Sequence, residues 1–362
     1  MSESALALAR RLPQLTKPIP RVTLTTLPTP VHRLRRLGEL CGSDRLWIKR
    51  DDQTCALYGG NKPRKLEFLL GDARRLGRRS VMTFGGIGTN HGLATTVCAR
   101  SIGLRTILIL LPQPVTDHVR HNLLLDYASG AEMRLAANVS GVVAKGLWRY
   151  ARGWLRRDPP YIIMTGGTSR IGALGLVNAA CELAEQVRAG ELPEPDAIFV
   201  PVGSGGTVAG LMLGLKLASL RSRVVGVVVT DILPPSARSL VQLARKTLVH
   251  LRRFARGLPD VSLSEADVTL ISGYLGRRYG DPTPQAERAQ QLAADLEGIP
   301  LETTYTAKCV AAVLDLACRE PYRERNLLYW HTYSSVDPGA ALDRLPDFHE
   351  LPPAFHRFFS RR

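Results

Sequence analysis

The chain has 362 residues, of which 45% are hydrophobic and 22% charged, as is ordinary for a soluble globular protein with room for two domains. No apolar run reaches the ~18 residues that span a bilayer, and the 6% aromatic residues follow no pattern of nucleic-acid recognition, so we expect neither a membrane nor a nucleic acid as partner. The 48 basic and 32 acidic residues give a formal charge of +16, which indicates solubility or attraction to anions.

The N-terminal region and the cysteines both favour the cytoplasm. Residues 1–20 hold one short apolar stretch, interrupted by Arg10 and Arg11, and lack the cleavage pattern of a signal peptide. Six cysteines are scattered without the paired spacing of metal ligands, as is typical of free thiols in a reducing compartment. We expect a cytoplasmic protein without a metal site.

Short apolar runs rich in β-branched residues alternate with helical patterns along most of the chain. This alternation is typical of an α/β fold with mainly parallel sheets covered by helices. The runs predicted as strands are 46–49, 81–84, 106–111, 161–164, 197–202, 224–229 and 327–331.

The first predicted strand is followed by GGNKPRKLEF, residues 59–68, which brings Lys62 to the start of an apolar-periodic helix ending at Gly77. The two glycines permit a sharp turn with positive φ. We expect Asn61 to cap the helix and Pro63 to fit its first turn. Lys62 is therefore expected to be held rigidly.

The charge around Lys62 predicts a reactive amine. The helix N-terminus is partly positive, and Arg64 and Lys65 add further positive charge, so the ammonium form of Lys62 is disfavoured. A neutral amine in this position can condense with an aldehyde. The alternative interpretation is a solvated basic first turn.

The second junction, GGIGTNHG at residues 85–92, brings Thr89 and Asn90 to the start of a helix that ends at Gly103. His91 follows them, and we interpret it as part of the helix turn, with proton shuttling as the alternative.

The third junction follows strand 197–202 and is rich in glycine. Successive backbone N–H groups at a helix N-terminus form a cradle for phosphate, and hydroxyl groups add donors, although tight packing alone would also explain the glycines. The cradle residues are Gly203, Ser204, Gly205, Gly206 and Thr207. A lysine for an imine and a cradle for one phosphate together suggest pyridoxal 5′-phosphate.

Over nearly its whole length the chain resembles the D-cysteine desulfhydrase and 1-aminocyclopropane-1-carboxylate deaminase family. GGNKPRKLEF is similar to that family's GGNKxRKLE segment, which implies the Schiff-base role for Lys62. GGIGTNHG is similar to its GxxQSNH segment, which implies that Thr89 lies under the cofactor and Asn90 binds the ring hydroxyl.

The resemblance extends to the phosphate turn and to three later segments. Gly203 to Thr207 match the family's phosphate turn, TGGTSRIGALG at 165–175 matches a GGSSPxGALG stretch, and YGDP and TTYTAK imply that Tyr279 and Tyr305 lie against the substrate. WHTYSS retains Thr332 as a partner for the pyridine nitrogen, whereas Tyr333 and Ser334 replace two glycines.

The family implies a tryptophan-synthase-β-like fold, known as fold type II of the pyridoxal-phosphate enzymes. The expected large cofactor-binding domain comprises residues 1–65 and 177–362, and the expected small α/β domain comprises residues 66–176. A homodimer acting on a small amino acid is implied.

The implied reaction is elimination from a D-cysteine-like amino acid, giving pyruvate, ammonia and sulfide. Thr306 stands where the deaminases carry a glutamate for the pyridine nitrogen, which favours elimination over ring opening. The alternatives are 1-aminocyclopropane-1-carboxylate deaminase, β-replacement, racemisation, and a relative that has lost turnover. The strand, GSGG, helix, strand and Asp231 loosely imitate a dinucleotide unit, which leaves nicotinamide binding as a rival.

These inferences give a committed set of site residues. The expected catalytic residues are Lys62, Thr89, Tyr279 and Tyr305. The expected cofactor-binding residues are Lys62, Asn90, Gly203, Ser204, Gly205, Gly206, Thr207 and Thr332.

Overall fold

The computed structural model of the chain describes residues 6–341 and 344–359. The strands of this part are β1 (Val31–Arg33), β2 (Leu46–Lys49), β3 (Ser80–Gly86), β4 (Arg105–Leu111), β5 (Glu132–Leu135), β6 (Tyr161–Ile163), β7 (Ala197–Val202), β8 (Arg223–Val228), β9 (Val268–Ile271) and β10 (Leu327–Trp330). The α-helices are α1 (Ala7–Arg11), α2 (Arg35–Leu40), α3 (Asn61–Arg75), α4 (Asn90–Ser101), α5 (Asp117–Ala128), α6 (Val139–Leu155), α7 (Leu174–Arg188), α8 (Gly206–Ala218), α9 (Ala237–Leu251), α10 (Pro284–Glu297) and α11 (Thr306–Leu316).

The strands form two sheets. The larger has the order β1-β2-β10-β7-β8-β9 and is parallel except for β1, whereas the smaller has the order β5-β4-β3-β6 and is parallel throughout. Helices cover them, and the apolar side chains of β7 and β8 fill cores on both faces of the larger sheet. The predicted α/β fold with two mainly parallel sheets is confirmed.

All seven predicted strands form, and three others were missed. β1, β5 and β9 are three or four residues long, and polar residues interrupt β1 and β5, so none presents a long apolar run. The strand predicted at 161–164 ends at Ile163, and the one predicted at 327–331 ends at Trp330.

The two sheets divide the chain much as the expected domains do. Strands between residues 80 and 163 make the smaller sheet, and strands on both sides of that segment make the larger one. The boundaries expected after residues 65 and 176 fall inside α3 and α7, so the domain division stays a prediction, and residues 1–5, 342–343 and 360–362 of the expected large domain lie outside the described residues.

Candidate active site

The turn before α3 fixes the place of Lys62. Gly60 has φ of +85°, and a Cβ there would lie 2.5 Å from the carbonyl oxygen of Thr332, so the turn requires glycine. The N–H of Gly59 donates to Oγ of Ser334 at 2.8 Å, and the N–H of Asn61 donates to the carbonyl oxygen of Thr332 at 3.3 Å. Ser334, which replaces a family glycine, thus braces the turn that carries the lysine.

Asn61 corrects one sequence-based expectation. Gly60 occupies the N-cap of α3, and Asn61 is the first helical residue without a capping bond. Its carbonyl oxygen Oδ1 instead accepts a hydrogen bond from Nζ of Lys62 at 2.8 Å, and its Nδ2 donates to Oγ1 of Thr207 at 2.8 Å. The amide of Asn61 therefore connects the Lys62 amine to the glycine-rich cradle in two hydrogen bonds.

The pKa of Lys62 falls from 10.5 to about 8 because burial disfavours the ammonium form, while the charge of Glu302 acts in the opposite direction. The predicted direction is right, but its cause is burial and not the charge of the neighbouring cations. Arg64 and Lys65 are both buried, so the first turn of α3 is not a solvated basic surface.

Arg64 is neutralised by a buried ionic cluster beneath α3. Its guanidinium donates to Asp51 at 2.7 Å and 2.9 Å and to Glu182 at 2.9 Å and 3.0 Å. Nζ of Lys49 donates to the same glutamate at 2.6 Å. The two carboxylates hold the pKa of Arg64 above its ordinary value despite burial, and the two cations lower the pKa of Glu182 to about 2.

Lys65, one turn after Lys62, is a site residue that the sequence analysis missed. Nζ of Lys65 donates to the carbonyl oxygen of Gly166 at 3.1 Å, and a Cβ built on Gly206 of the cradle would lie 3.2 Å from this Nζ. Burial and the charge of Lys62 lower the pKa of Lys65. Lys65, which has no carboxylate partner among the described residues, thus lies at the cradle, where a phosphate would supply its counter-charge.

The cradle connects β7 to α8 as predicted. Gly205 has φ of +81° at the N-cap of α8, and a Cβ there would lie 2.5 Å from Leu240. Oγ of Ser204 lies 2.6 Å from Oγ1 of Thr168, a residue of the 165–175 segment for which no role was predicted. The first N–H groups of α8 have no carbonyl partner within the helix, so the turn offers backbone and hydroxyl donors to an anion.

Thr89 and Asn90 lie at the start of α4. Oγ1 of Thr89 accepts from the N–H of Gly92 at 3.2 Å and caps the helix. Oδ1 of Asn90 hydrogen-bonds Nδ2 of Asn122 and Nε2 of His118, each at 3.0 Å. This fixes the amide and leaves its Nδ2 without a hydrogen-bond partner among the described residues.

His91 carries an unsatisfied polar group beside the two lysines. Both ring nitrogens are buried and make no hydrogen bond within residues 6–341 and 344–359. Burial and the charges of Lys62 and Lys65 lower the pKa of His91 well below its ordinary value. The ring is therefore neutral, and its assignment to the helix turn stays a prediction.

Tyr279 and Tyr305 come together at the other side of the cradle. Their hydroxyl oxygens lie 2.5 Å apart, and a Cβ built on Gly203 would lie 3.0 Å from the Tyr305 ring. Burial raises the pKa of both hydroxyls, so both are protonated at neutral pH. Asp231, the acidic residue of the nicotinamide alternative, accepts from the N–H of Tyr279 at 3.1 Å and so holds this loop.

Lys308 and Glu302 position the tyrosine pair. Nζ of Lys308 donates to the carbonyl oxygens of Leu275 and Asp281 and ties the loop of Tyr279 to α11. The carboxylate of Glu302, another residue that the sequence analysis missed, accepts from the N–H groups of Tyr305 and Thr306 at 2.8 Å each. The carboxylate of Glu302 therefore binds the backbone at the start of α11.

Thr332 lies two residues beyond the end of β10 and is buried against the start of α3. Its neighbour Tyr333 approaches His118 edge-on with ring centroids 6.3 Å apart. Through His118 this bulky replacement reaches Asn90. The structure thus gathers all the expected site residues around one region between β2, β7 and β10 and the start of α4.

Comparisons with known proteins identify the family of the chain. The family model for pyridoxal-phosphate dependent enzymes matches residues 22–332. A D-cysteine desulfhydrase of Klebsiella pneumoniae is 34% identical over 330 residues, which cover 89% of this chain and 95% of that protein.

Solved structures were compared with the chain in the same way. A homologue of 1-aminocyclopropane-1-carboxylate (ACC) deaminase superposes with a TM-score of 0.75 at 33% identity, covering 92% of this chain and 95% of the other. Serine racemase of maize, at a TM-score of 0.58 and 17% identity, shares the fold.

The cofactor fits this site. A partly buried lysine with a lowered pKa, a second lysine at a glycine-rich turn and close-approach glycines match an aldehyde and a phosphate carried by one small ring. The chain therefore belongs to the pyridoxal-phosphate-dependent enzyme family, in the group that holds D-cysteine desulfhydrases and ACC deaminases.

Proposed function

We propose that the chain eliminates the β-substituent of a small amino acid, with D-cysteine as the first substrate to test. One D-cysteine and one water would give pyruvate, ammonia and hydrogen sulfide. The observation that carries the proposal is the hydrogen-bonded path from Nζ of Lys62 through Asn61 to Thr207, because it joins a poised amine to a phosphate cradle.

The cofactor would be held by residues from three junctions. Its phosphate would take donors from the N-terminus of α8, from Ser204 and Thr207, and from Lys65. Asn90 has an uncommitted amide nitrogen for the ring hydroxyl, and Thr332 is proposed as the partner of the pyridine nitrogen. When bound, pyridoxal phosphate supplies an electron sink for the negative charge that develops at the substrate Cα.

Lys62 is proposed as the base that removes the Cα proton. With a pKa of about 8, a useful fraction of its amine is neutral at slightly alkaline pH, and burial keeps water from solvating its charged form. Thr89 and the free N–H groups at the start of α4 would hold the substrate carboxylate.

The paired hydroxyls of Tyr279 and Tyr305 are proposed to hold the proton that the leaving sulfur receives. Both remain protonated at neutral pH, and the Tyr305 ring lies against Gly203 of the cradle. Because the two share a hydrogen bond, loss of either hydroxyl would leave the other without its partner.

The environment of Thr306 favours elimination over opening of a cyclopropane ring. Its hydroxyl is buried and hydrogen-bonded with the backbone and carboxylate of Glu302. No carboxylate stands at position 306 to strengthen the electron sink by keeping the pyridine nitrogen protonated. ACC deamination is the second candidate, because a homologue of that enzyme superposes closely.

The deciding experiment supplies the purified holoenzyme with D-cysteine, L-cysteine and ACC in parallel. We expect sulfide and pyruvate in equal amounts from D-cysteine and little 2-oxobutanoate from ACC. Faster release of 2-oxobutanoate would overturn the choice of reaction, and release from L-cysteine alone would overturn the stereochemistry. A cofactor-loaded protein that releases neither product would support the readings of β-replacement, racemisation or lost turnover.

Thr306→Glu is the matched variant for this choice. The added carboxylate would strengthen the electron sink, so we expect the ratio of ACC turnover to D-cysteine turnover to rise by about tenfold. An unchanged ratio would contradict the proposed role of Thr306.

We further propose that the enzyme works as a cytoplasmic homodimer, as the family resemblance implies. Light scattering on the eluted holoenzyme measures its mass, and a monomer at micromolar concentration would exclude the dimer.

A further inference from the structure

Helix α6 presents an apolar stripe to solvent. The helix packs on the smaller sheet through Gly146, where a Cβ would lie 3.3 Å from the ring of Phe84. Next to this buried side, apolar residues recur at helical spacing and are between 37% and 69% exposed. The stripe consists of Val139, Val143, Leu147, Tyr150 and Trp154.

The edge strand β6 extends this surface. Ile162 pairs in register with Met82, whose side chain packs in the core under α6, so Ile162 points to the same face of the sheet as the helix. Ile162 and Met164 are 42% and 56% exposed. We call the stripe together with these two residues the α6 face.

The size of the α6 face is unusual for an unpartnered surface. Seven side chains, each about half exposed, present on the order of 700 Å² when a large side chain buries ~150–250 Å². The largest apolar patch of a typical monomer is ~300–600 Å², and larger patches mark interaction sites.

A basic cavity of about 380 Å³ adjoins this helix on its other side. Five arginines line it, with Glu132 and Asp158 as its acidic residues. Glu132 is shared by Arg134 at 2.7 Å and Arg149 at 3.5 Å, and Asp158 is taken by Arg105. The remaining two arginines, Arg152 and Arg156, have no carboxylate partner among the described residues.

Trp148 lines the cavity beside two of its arginines. The guanidinium groups of Arg134 and Arg152 each lie 5.2 Å from the centroid of its ring, and its side chain is half exposed. The helix thus carries aromatic and aliphatic side chains on one flank and converging guanidinium groups on the other, which is the pattern of helices that lie in a membrane interface.

We propose that α6 docks the protein on an anionic phospholipid surface. The helix would lie in the plane of the interface, with the α6 face at the boundary of the acyl chains and headgroup phosphates in the arginine-lined cavity. Arginine side chains can pack their stems on apolar surface while their charged ends reach the headgroups. The charge of +16 would attract the whole protein to such a surface.

The charge favours a lipid surface over a second copy of the chain. Two copies meeting on this helix would bring their like-charged arginine clusters together, whereas anionic headgroups would pair with these arginines. Among the described residues no helix is long and apolar enough to cross a membrane. The expectation of no membrane partner rested on that criterion, which does not detect a helix lying on the surface.

The test is sedimentation of the holoenzyme with vesicles. We expect binding to phosphatidylcholine vesicles that contain about 30% phosphatidylglycerol, a blue shift of tryptophan fluorescence, and at least ~tenfold weaker binding to pure phosphatidylcholine. Binding should weaken with added salt, since part of the attraction is electrostatic.

Matched variants locate the contact. Val143→Glu should lower binding to the anionic vesicles by about tenfold, whereas Val249→Glu, which changes a 58% exposed valine on α9, should leave it unchanged. Arg152→Gln with Arg156→Gln should reduce the preference for anionic vesicles. Circular dichroism and cofactor absorbance establish that each variant is folded.

Three results would overturn the proposal. The first is no sedimentation with anionic vesicles at low salt. The second is equal loss of binding in the Val143→Glu and Val249→Glu variants. The third is a smaller oligomer for Val143→Glu without any vesicle binding by the parent enzyme, which would assign the α6 face to a protein contact.

Discussion

Three cations share the first turn of α3, and they meet opposite surroundings. Arg64 points into the buried cluster of Asp51 and Glu182, where its charge is neutralised and its pKa rises. Lys62 and Lys65 point toward the cradle, where no carboxylate pairs with them among the described residues and burial lowers both pKa values.

Arg64 therefore stabilises the fold, whereas Lys62 and Lys65 are available to bind a ligand. Burial disfavours the charge of all three side chains, but among the described residues carboxylates form ion pairs only with Arg64 of these three. The phosphate of the cofactor can compensate Lys65, and an aldehyde can consume the amine of Lys62. Three residues apart, Lys62 and Lys65 lie on one side of the helix, while Arg64 faces the other.

The largest expected effect comes from Lys62. Lys62→Ala removes the amine that binds the cofactor and the proposed base, so elimination should slow by at least about 10³-fold and the absorbance of lysine-bound cofactor should disappear. Lys246→Ala, at an exposed lysine of α9, is the control. Persistence of that absorbance in Lys62→Ala would contradict the covalent role.

Removing the charge of Arg64 should lower the stability of the protein rather than the rate of its reaction. Arg64→Met leaves Asp51 and Glu182 buried with Lys49 as the remaining cation of the cluster, so the free energy of unfolding in urea should fall by about 3–5 kcal/mol. The control Arg319→Met removes an exposed i,i+4 pair with Asp315 at the end of α11 and should cost less than about 1 kcal/mol. Equal losses in the two variants would refute the distinction.

Lowering the pH should weaken the buried ionic cluster beneath α3, because Glu182 becomes protonated. The pKa of Glu182 is about 2 in the folded protein against 4.5 for the ordinary carboxyl, so its stabilisation is complete above pH 4.5 and is lost as the pH falls toward 2. The loss should be at most about 3 kcal/mol. Urea unfolding between pH 5 and pH 3 measures it, and a Glu182→Gln variant that loses as much stability over this range would disprove the assignment.

The smallest expected effect comes from Lys65, one of the two lysines without a carboxylate partner among the described residues. Lys65→Met should weaken cofactor binding by about tenfold, because it removes the charge-assisted contact that we propose with the phosphate. The same variant should stabilise the apoprotein, since it removes a buried amine that pairs with no carboxylate among the described residues. Titration of the apoprotein with pyridoxal phosphate and urea unfolding measure the two changes, and a less stable apoprotein would show that Lys65 is structural.

The sequence predicts the buried strands and the lysine turn well, because both leave local signals. Long apolar runs mark β4, β7 and β8, and paired glycines mark the turn before Lys62. Short strands such as β5 leave no such signal, since their neighbours in space define them.

The same limit applies to the candidate site, because contacts that form only on folding leave no local signal in the sequence. Thr168 was missed because only folding brings it to the cradle, whereas Glu302 lies close to Tyr305 in sequence but acts through backbone N–H groups, which leave no pattern of side chains. Asn61 was expected to cap α3, but the positive φ of Gly60 takes that place and frees the amide to connect Lys62 with Thr207. The spacing of Lys62 and Lys65 was the one available signal that both lie on the same side of α3.

The close contact between α3 and α7 limits which residues around this pocket can be substituted. A Cβ on Gly175 of α7 would lie 2.1 Å from the carbonyl oxygen of Arg64 and 2.9 Å from the N–H nitrogen of Lys65. Any side chain there would displace the turn that carries both lysines. Attempts to re-engineer substrate choice should therefore leave this helix crossing untouched and diversify Tyr333, whose ring lies near His118 and at the edge of the site.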